Sequence, residues 1–219
     1  MLGRLIIPLI FITAIATACD APSPPDGSRL ITQAQQAWAG DWHAVWQIEW
    51  SGAPVRGPLV AEVWHAGDSR LRIETLEAPA AALSGLTLVN DGTATWLYDL
   101  RQNRVESKPA GQARIPLASD ALDATGWLLK QASQATPRIT GRDRLESGLA
   151  ERVAVALADG DRATLWIDTE SGLPARVELH SAVWGEATFI ARSIDPPARQ
   201  PAGLFTFQPP PGAEVITRP

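Results

Sequence analysis

Apolar and polar residues alternate along most of this chain with the period of two that is typical of β-strands. The clearest example is the stretch 42–50, in which every second side chain is apolar and the residues between include His43 and Glu49. This pattern predicts a strand with one buried face. Shorter stretches of the same kind, bounded by turn-forming residues, predict further strands at residues 59–64, 70–76, 86–90, 93–98, 104–108, 138–145, 149–157, 162–168, 174–181, 187–194 and 204–207.

Two stretches carry the period of an amphipathic helix instead. The first covers residues 28–39, with Ser28 as the expected N-cap and Gly40 at the expected end. The second covers residues 120–134, with Ser119 as the expected N-cap. No repeated strand–helix–strand unit is present, so a parallel doubly wound sheet is not expected. The pattern predicts a mainly β (α+β) fold, a single strongly bent antiparallel sheet with helices against one face.

The first 27 residues differ in composition from the rest of the chain. Arg4 is followed by a short apolar run that ends in Ala-Thr-Ala-Cys at residues 16–19, and a Pro-rich polar segment comes next. This order predicts a secretory signal peptide over residues 1–18, because the run is shorter than the roughly 20 apolar residues of a membrane span. The residues before the cut resemble a lipobox, so we expect Cys19 to be acylated at the head of a Pro-rich tether, residues 19–27. Secretion after ordinary signal cleavage is the alternative.

Composition narrows the function of the remaining part, residues 28–219, which has the length of one domain. The net charge of the whole chain is −5 and no Lys/Arg cluster occurs, which argues against nucleic-acid binding. Cys19 is the single cysteine, so we expect no disulfide within the chain. Nine tryptophans against one tyrosine are unusual, and Trp42, Trp46 and Trp50 share one face of the first strand.

The sequence contains no recognisable motif for catalysis or metal binding. The three histidines, His43, His65 and His180, are not spaced as metal ligands, and neither a nucleophile elbow nor a phosphate-binding loop is present. His43 and His180 fall on the polar alternates of their strands, where exposed side chains are expected. We therefore expect a binding protein and not an enzyme, with no cofactor and no metal.

The last third of the chain carries an ordered set of motifs. Leu-Trp-Ile-Asp at 165–168 is followed by Ser-Gly-Leu-Pro at 171–174 and by Arg-Val-Glu-Leu at 176–179. The segment 204–215 then reads Leu-Phe-Thr-Phe-Gln-Pro-Pro-Pro-Gly-Ala-Glu-Val. This set resembles the outer-membrane lipoprotein carrier superfamily, which is LolA/LolB-like and related to MucB/RseB and to the mycobacterial lipid-binding lipoproteins. The resemblance covers about residues 28–217.

The resemblance implies an unclosed β-barrel, in which helices cover an apolar concave face and the cavity between them accepts acyl chains. The period-two pattern indicates which side chains of the strands point into this cavity. Those expected to line it are Trp42, Trp46, Ile48, Trp50, Leu71, Ile73, Val177, Leu179 and Phe189. The second helix is expected to act as a lid through Leu122, Trp127 and Leu129. The polar alternates are expected to face water, namely Arg70, Arg72, Glu74, Arg176, Glu178 and His180.

Two functions follow from the sequence. The first is a membrane-anchored lipoprotein that binds lipid or lipoprotein acyl chains and acts in lipid or lipoprotein transport or reception. It would be lipid-anchored in the cell membrane at the extracytoplasmic face, in the periplasm or at the cell surface. The alternative is an envelope-stress sensor or regulator of the MucB/RseB type that binds a membrane-protein partner. For the tryptophans at 42, 46 and 50, a plain core role is the simpler interpretation, and the two roles overlap in a half-barrel.

Overall fold

A computed structural model describes residues 26–51, 56–67, 69–195 and 200–218. The expected signal peptide, Cys19 and the tether up to residue 25 lie outside the described residues. The described part forms one sheet of twelve strands with two α-helices. The predicted single, unclosed sheet with helices against it is confirmed.

Eleven of the twelve predicted strands are present, each within two residues of the expected ends. In chain order the strands of the described part are β1 (Trp42–Ser51), β2 (Leu59–Ala66), β3 (Arg70–Glu77), β4 (Leu86–Asn90), β5 (Ala94–Asp99), β6 (Arg104–Pro109), β7 (Arg138–Arg144), β8 (Leu149–Ala156), β9 (Arg162–Asp168), β10 (Pro174–Ser181), β11 (Gly185–Asp195) and β12 (Glu214–Thr217). The helices are α1 (Gly27–Trp38) and α2 (Ala118–Ala132).

The strands are arranged in the order β12-β6-β5-β4-β3-β2-β1-β11-β10-β9-β8-β7. All neighbours are antiparallel except β12 and β6, which run parallel, a pairing that the sequence did not predict. β1 and β11 join the two halves of the chain at the centre of the sheet. β7 and β12 are the two edges and do not pair with each other, so the barrel stays open.

Register irregularities help to bend this long sheet. The pairing of β1 with β11 shifts by one residue between Val45 and Trp46, where β11 carries the extra residue, and similar shifts occur in the β2–β3, β7–β8 and β9–β10 pairs. A bulge of this kind bends its strand and increases the local twist. Large twisted sheets also tend to curl, and here the result has a concave face on which the main apolar core lies.

The two helices cover the concave face, but their first residues differ from the prediction. Asp26, not Ser28, caps α1, because its side chain accepts a hydrogen bond from the Ser28 amide. α2 begins after Leu117, which has a positive φ of 67°. Ser119 is already helical, and its hydroxyl accepts a hydrogen bond from the Ile115 amide. Neither helix of the described part is long and apolar enough to cross a membrane.

The strand ends define two rims of the half-barrel. We call the first the N-terminal rim, because α1 begins there: a Cβ added to Gly27 would lie 2.3 Å from the Pro137 carbonyl oxygen, just before β7. It is formed by the chain connections 77–86, 99–104, 156–162 and 181–185. The opposite rim is formed by the connections 66–70, 90–94, 144–149 and 168–174.

The predicted strand at residues 204–207 is not present. These residues form turns instead, with the Leu204 amide bonded to the Pro201 carbonyl and the Thr206 amide to the Gly203 carbonyl. The segment packs on the convex face of the sheet, where the Phe207 ring stacks on Trp96 with centroids 5.8 Å apart. Local alternation predicted a strand here, but this segment has no neighbouring strand with which to pair.

The same segment changes the surroundings of some polar alternates. The guanidinium of Arg70 lies 5.0 Å from the centroid of the Phe205 ring. Arg72 donates to Glu74 and to the Leu204 carbonyl, with nitrogen–oxygen distances of 2.5 to 3.2 Å. These side chains lie on the convex face as expected, yet they are half-buried there and not open to water.

The turn between β9 and β10 is built around Asp168, whose side chain is 6% exposed. Its carboxylate accepts hydrogen bonds from the Glu170 amide at 3.1 Å and from the Ser171 amide and hydroxyl, both at 2.7 Å. Gly172 follows with a φ of +75°, a conformation that suits glycine. The Trp-Ile-Asp and Gly-Leu-Pro motifs are therefore two sides of one turn.

We expect Asp168→Ala to lower the free energy of unfolding by about 1–3 kcal/mol, because three donors in this turn lose their acceptor. Urea denaturation followed by tryptophan fluorescence measures the change. Glu170→Ala is the matched control, because the Glu170 side chain is exposed in the same turn. Equal unfolding midpoints for both variants would contradict this account of the turn.

Candidate hydrophobic binding site

The nine side chains expected to line a cavity all lie on the concave face. Pairing places several of them side by side, since Ile48 is opposite Phe189 and Phe189 is opposite Val177. Seven are at most 4% exposed, and Trp50 and Leu71 are partly buried against the same core. The structure brings these residues together as one apolar surface, and their binding of a ligand stays a prediction.

One group of aromatic side chains joins α1 to the sheet. Trp38 stacks on Trp42 with centroids 4.8 Å apart, and it meets Trp46 edge-on at 6.3 Å. The Trp42 indole nitrogen donates to the Trp38 carbonyl at 3.0 Å, and its ring stacks on His65 at 5.3 Å. The end of α1 is thus held at the start of β1 by stacking and by a hydrogen bond.

A second aromatic group lies toward the N-terminal rim. Trp50 packs against Trp184 and Phe189, with centroids 6.0 and 5.5 Å apart, and its indole nitrogen donates to the Trp184 carbonyl at 2.6 Å. Trp127 of α2 contacts the other side of Trp184 at 6.3 Å. The 181–185 turn therefore links the sheet to the expected lid, a role that the sequence did not reveal for Trp184.

The β10–β11 turn that carries Trp184 is fixed by Asp161. Its carboxylate accepts hydrogen bonds from the Ser181 hydroxyl at 2.6 Å and from the Ala182 amide at 2.8 Å. The Ser181 hydroxyl and then the Ala182 amide lower the pKa of the Asp161 carboxyl below its usual value. The group is therefore ionised at neutral pH and holds the turn across the β8–β9 connection.

The expected lid residues lie where α2 covers the core. Leu129 is 1% exposed, while Leu122 and Trp127 are partly buried and pack on the core. At Gly126 an added Cβ would lie 3.4 Å from the Trp38 indole nitrogen, so α2 contacts the end of α1 at this point. The Gln35 side chain donates to the Leu129 carbonyl at 3.0 Å and joins the helices further. The contacts are those of a closed cover over the concave face.

Two buried indole N–H groups lack an acceptor among the described residues. They belong to Trp46, which is 4% exposed, and to Trp184. A buried donor without a partner costs roughly 1–3 kcal/mol. Both lie within the two aromatic groups described above.

A cavity in the described part opens at the N-terminal rim. Its volume is about 920 Å³, and it lies between the end of α2 and the strand ends of β7 to β10. Val155 and Ala163 reach it from the apolar core, and Arg138 and Arg162 lie at its polar side. None of the nine expected liners borders it, because their side chains fill the space beneath the helices.

The histidines have structural partners. His43 is half-buried and not exposed as expected, because its two ring nitrogens lie 2.6 Å from Asp195 and 2.9 Å from Glu62, and its ring stacks on Trp64 at 4.8 Å. His180 lies 3.1 Å from Glu186. No group of three or more His, Cys, Asp or Glu side chains in the described ranges could hold a metal ion.

Comparison of the sequence with protein-family models gives no match, and comparison with curated proteins gives no significant match. The fold is similar to that of an uncharacterized conserved protein from Thermus thermophilus. The TM-score is 0.55 at 17% identity, over 86% of this chain and 97% of the other.

Two further structures share the fold. MucB in the Pseudomonas aeruginosa MucA/MucB complex has a TM-score of 0.56 at 17% identity, over 83% of this chain and 61% of MucB. LprF from Mycobacterium bovis has a TM-score of 0.50 at 13% identity, over 80% of this chain and 95% of LprF. The chain thus spans about three fifths of the MucB chain. The fold of the chain is similar to that of MucB and LprF, relatives that the sequence motifs implied.

Proposed function

We propose that this protein binds the acyl chains of a lipid or lipoprotein between the concave face of its sheet and the two helices. The observation that carries the proposal is the continuous apolar surface formed by the nine side chains from β1, β3, β10 and β11. MucB, which shares the fold, is known in complex with MucA, and this supports a binding function.

The energetic scale suits such a ligand. Each buried CH₂ group contributes about 0.8 kcal/mol, so a 16-carbon chain gains on the order of 12 kcal/mol before the costs of association. A head group with a carboxyl or ester oxygen adds a second feature, because it offers an acceptor to the buried indole N–H groups of Trp46 or Trp184. We therefore propose acyl chains with an oxygen-bearing head as the ligand class.

Entry of a ligand requires α2 to move, because the interior beneath it is filled. Few polar contacts hold α2 to α1, and the Gln35–Leu129 hydrogen bond is the one described between their residues. The cavity of about 920 Å³ at the end of α2 already reaches Val155 and Ala163 of the core. We propose that this opening at the N-terminal rim widens into the binding site when α2 is displaced.

We expect Trp46→Asp to abolish binding of a fluorescent fatty acid, because it places a charge on the apolar surface. Gln47→Asp is the matched control: it adds the same charge at the next residue of β1, on the opposite face, and should leave the affinity unchanged. Fluorescence titration of each variant measures the dissociation constant, and circular dichroism checks that each is folded.

A milder variant keeps this experiment decisive if Trp46→Asp does not fold. Trp46→Phe retains an aromatic ring and removes the N–H group, and we expect it to weaken binding about fivefold, the equivalent of one hydrogen bond of about 1 kcal/mol. Unchanged affinities for the folded Trp46 variants would mean that the tryptophans are plain core and would refute the proposed binding site on the concave face.

We further propose that Cys19 is acylated and holds the protein at the extracytoplasmic face of the cell membrane. The lipobox-like residues 16–19 and the single cysteine support this proposal. Cys19→Ser should move the protein from the membrane fraction to the soluble fraction after signal cleavage, as measured by fractionation and immunoblotting. Ala21→Ser in the same segment is the control and should stay in the membrane fraction. A Cys19→Ser protein that is processed yet still membrane-bound would place the anchor elsewhere.

The second candidate function is binding of a protein partner. The observation that favours it is the similarity to MucB, whose structure is known in complex with MucA. Native mass spectrometry of the detergent-free protein separates the candidates. We expect a lipid-sized mass increment on the acyl-binding model, whereas an unmodified mass together with a stoichiometric membrane-protein partner in pull-down would favour the regulator.

A further inference from the structure

Four large apolar side chains are exposed in the described part of the chain, and all four lie at the N-terminal rim. Leu100 is 62% exposed in the β5–β6 turn, and Val183 is 77% exposed in the β10–β11 turn. Leu76, next to the end of β3, is 52% exposed, and Val215, near the start of β12, is 47% exposed. Exposed apolar residues gathered at one end of a molecule indicate an interaction surface.

Lysines and arginines without a described partner are concentrated at the same rim. Among the described lysines and arginines, those without an ion pair or hydrogen bond to a described residue fall into two unequal groups. Only Arg144 belongs to the opposite rim, in the β7–β8 turn. The other five lie at the N-terminal rim. They are Arg29 in the first turn of α1, Arg56 before β2, Lys130 near the end of α2, Arg138 at the start of β7 and Arg162 at the start of β9. All five are exposed.

Exposed acidic residues occur at both rims. At the N-terminal rim Glu77 is paired with Arg192 at 2.8 Å, but the exposed Asp26, Glu49 and Glu214 have no cationic partner among the described residues. The exposed Glu146 and Glu170 at the opposite rim have none either among these residues. The two rims therefore differ in their described unpaired cations, five against one, and not in their acidic residues.

The chain outside the described part leaves from this rim as well. Asp26 caps α1 there, and seven residue steps separate it from Cys19. Even a fully extended segment of this length spans at most about 25 Å. The strands put the opposite rim about one strand length further away, roughly 26 Å for eight residues. An anchor at Cys19 therefore brings the N-terminal rim closest to the membrane.

We propose that the N-terminal rim docks on a lipid bilayer that contains anionic headgroups. The exposed Leu100 and Val183 enter the interface, and the unpaired arginines contact the headgroups, which is the combination that favours binding to an anionic surface. The proposal rests on the proposed membrane anchoring of the chain. It adds an orientation, in which the opening at the end of α2 faces the lipid.

The single cysteine makes the orientation directly measurable. Cys19→Ser removes it, and Val183→Cys or Arg144→Cys then provides one labelling site for a polarity-sensitive dye at either rim. The mature chain is held on vesicles through an N-terminal hexahistidine tag and nickel-chelating lipid, which replaces the acyl group. The vesicles contain phosphatidylcholine with or without phosphatidylglycerol.

We expect a blue shift of the dye at position 183 on phosphatidylglycerol vesicles and none at position 144. Reversal of two unpaired cations, Arg29→Glu with Arg56→Glu, should reduce that shift at least threefold while the tag still holds the chain. Arg144→Glu is the matched control and should leave the shift unchanged. Equal shifts at both rims, no shift at 183, or no effect of the double reversal would overturn the proposal.

Two further measurements separate this proposal from its alternatives. A blue shift at 183 that needs no vesicles and grows with protein concentration would assign the surface to a second copy of the chain and overturn membrane docking. Fatty-acid binding is measured on the same Arg29→Glu, Arg56→Glu protein and should be unchanged. Fatty-acid binding by the unreversed protein without a blue shift at position 183 would refute the docking surface and leave the acyl-binding proposal standing. Loss of fatty-acid binding in Trp46→Asp with the blue shift intact would separate the binding site from the rim.

Discussion

The constraint on which this structure depends is that an unclosed sheet must cover its apolar concave face. The two edge strands, β7 and β12, do not pair, so the sheet cannot bury that face by closing on itself. α1 and α2 provide the cover, and the Trp38–Trp42 stack fixes one of them to the first strand. The helices are held to the sheet by contacts of their side chains, whereas neighbouring strands are joined by a continuous ladder of backbone hydrogen bonds. The interior is consequently the part of the molecule that can open without breaking the sheet.

Much of this arrangement could be predicted from the sequence, because it depends on local periodicity. Residues two apart on a strand share a face, so the alternation at 42–50 was enough to place Trp42, Trp46 and Trp50 together. The same rule placed Leu71 with Ile73 and Val177 with Leu179, and antiparallel pairing then brought the pairs onto one surface. The sequence could not say whether that surface encloses an open cavity, because the volume left beneath the helices depends on how they pack.

The features that the sequence did not predict depend on contacts between distant residues. Residues 204–207 alternate like a strand, but Phe205 and Phe207 pack under Arg70 and on Trp96 across the convex face. The parallel pairing of β12 with β6 joins segments about 110 residues apart, and no local pattern encodes it. His43 is half-buried because Glu62 and Asp195 come from the two neighbouring strands. At each of these places tertiary contact outweighs local preference.

The two ends of the half-barrel are not equivalent, and the reason is a single close contact. At Gly27 there is no room for a side chain, since an added Cβ would lie 2.3 Å from the Pro137 carbonyl oxygen. This contact places the first turn of α1 against the segment that joins α2 to β7. The exit of the N-terminal tether, the end of the covering helix and the cavity beside it are therefore held at one rim.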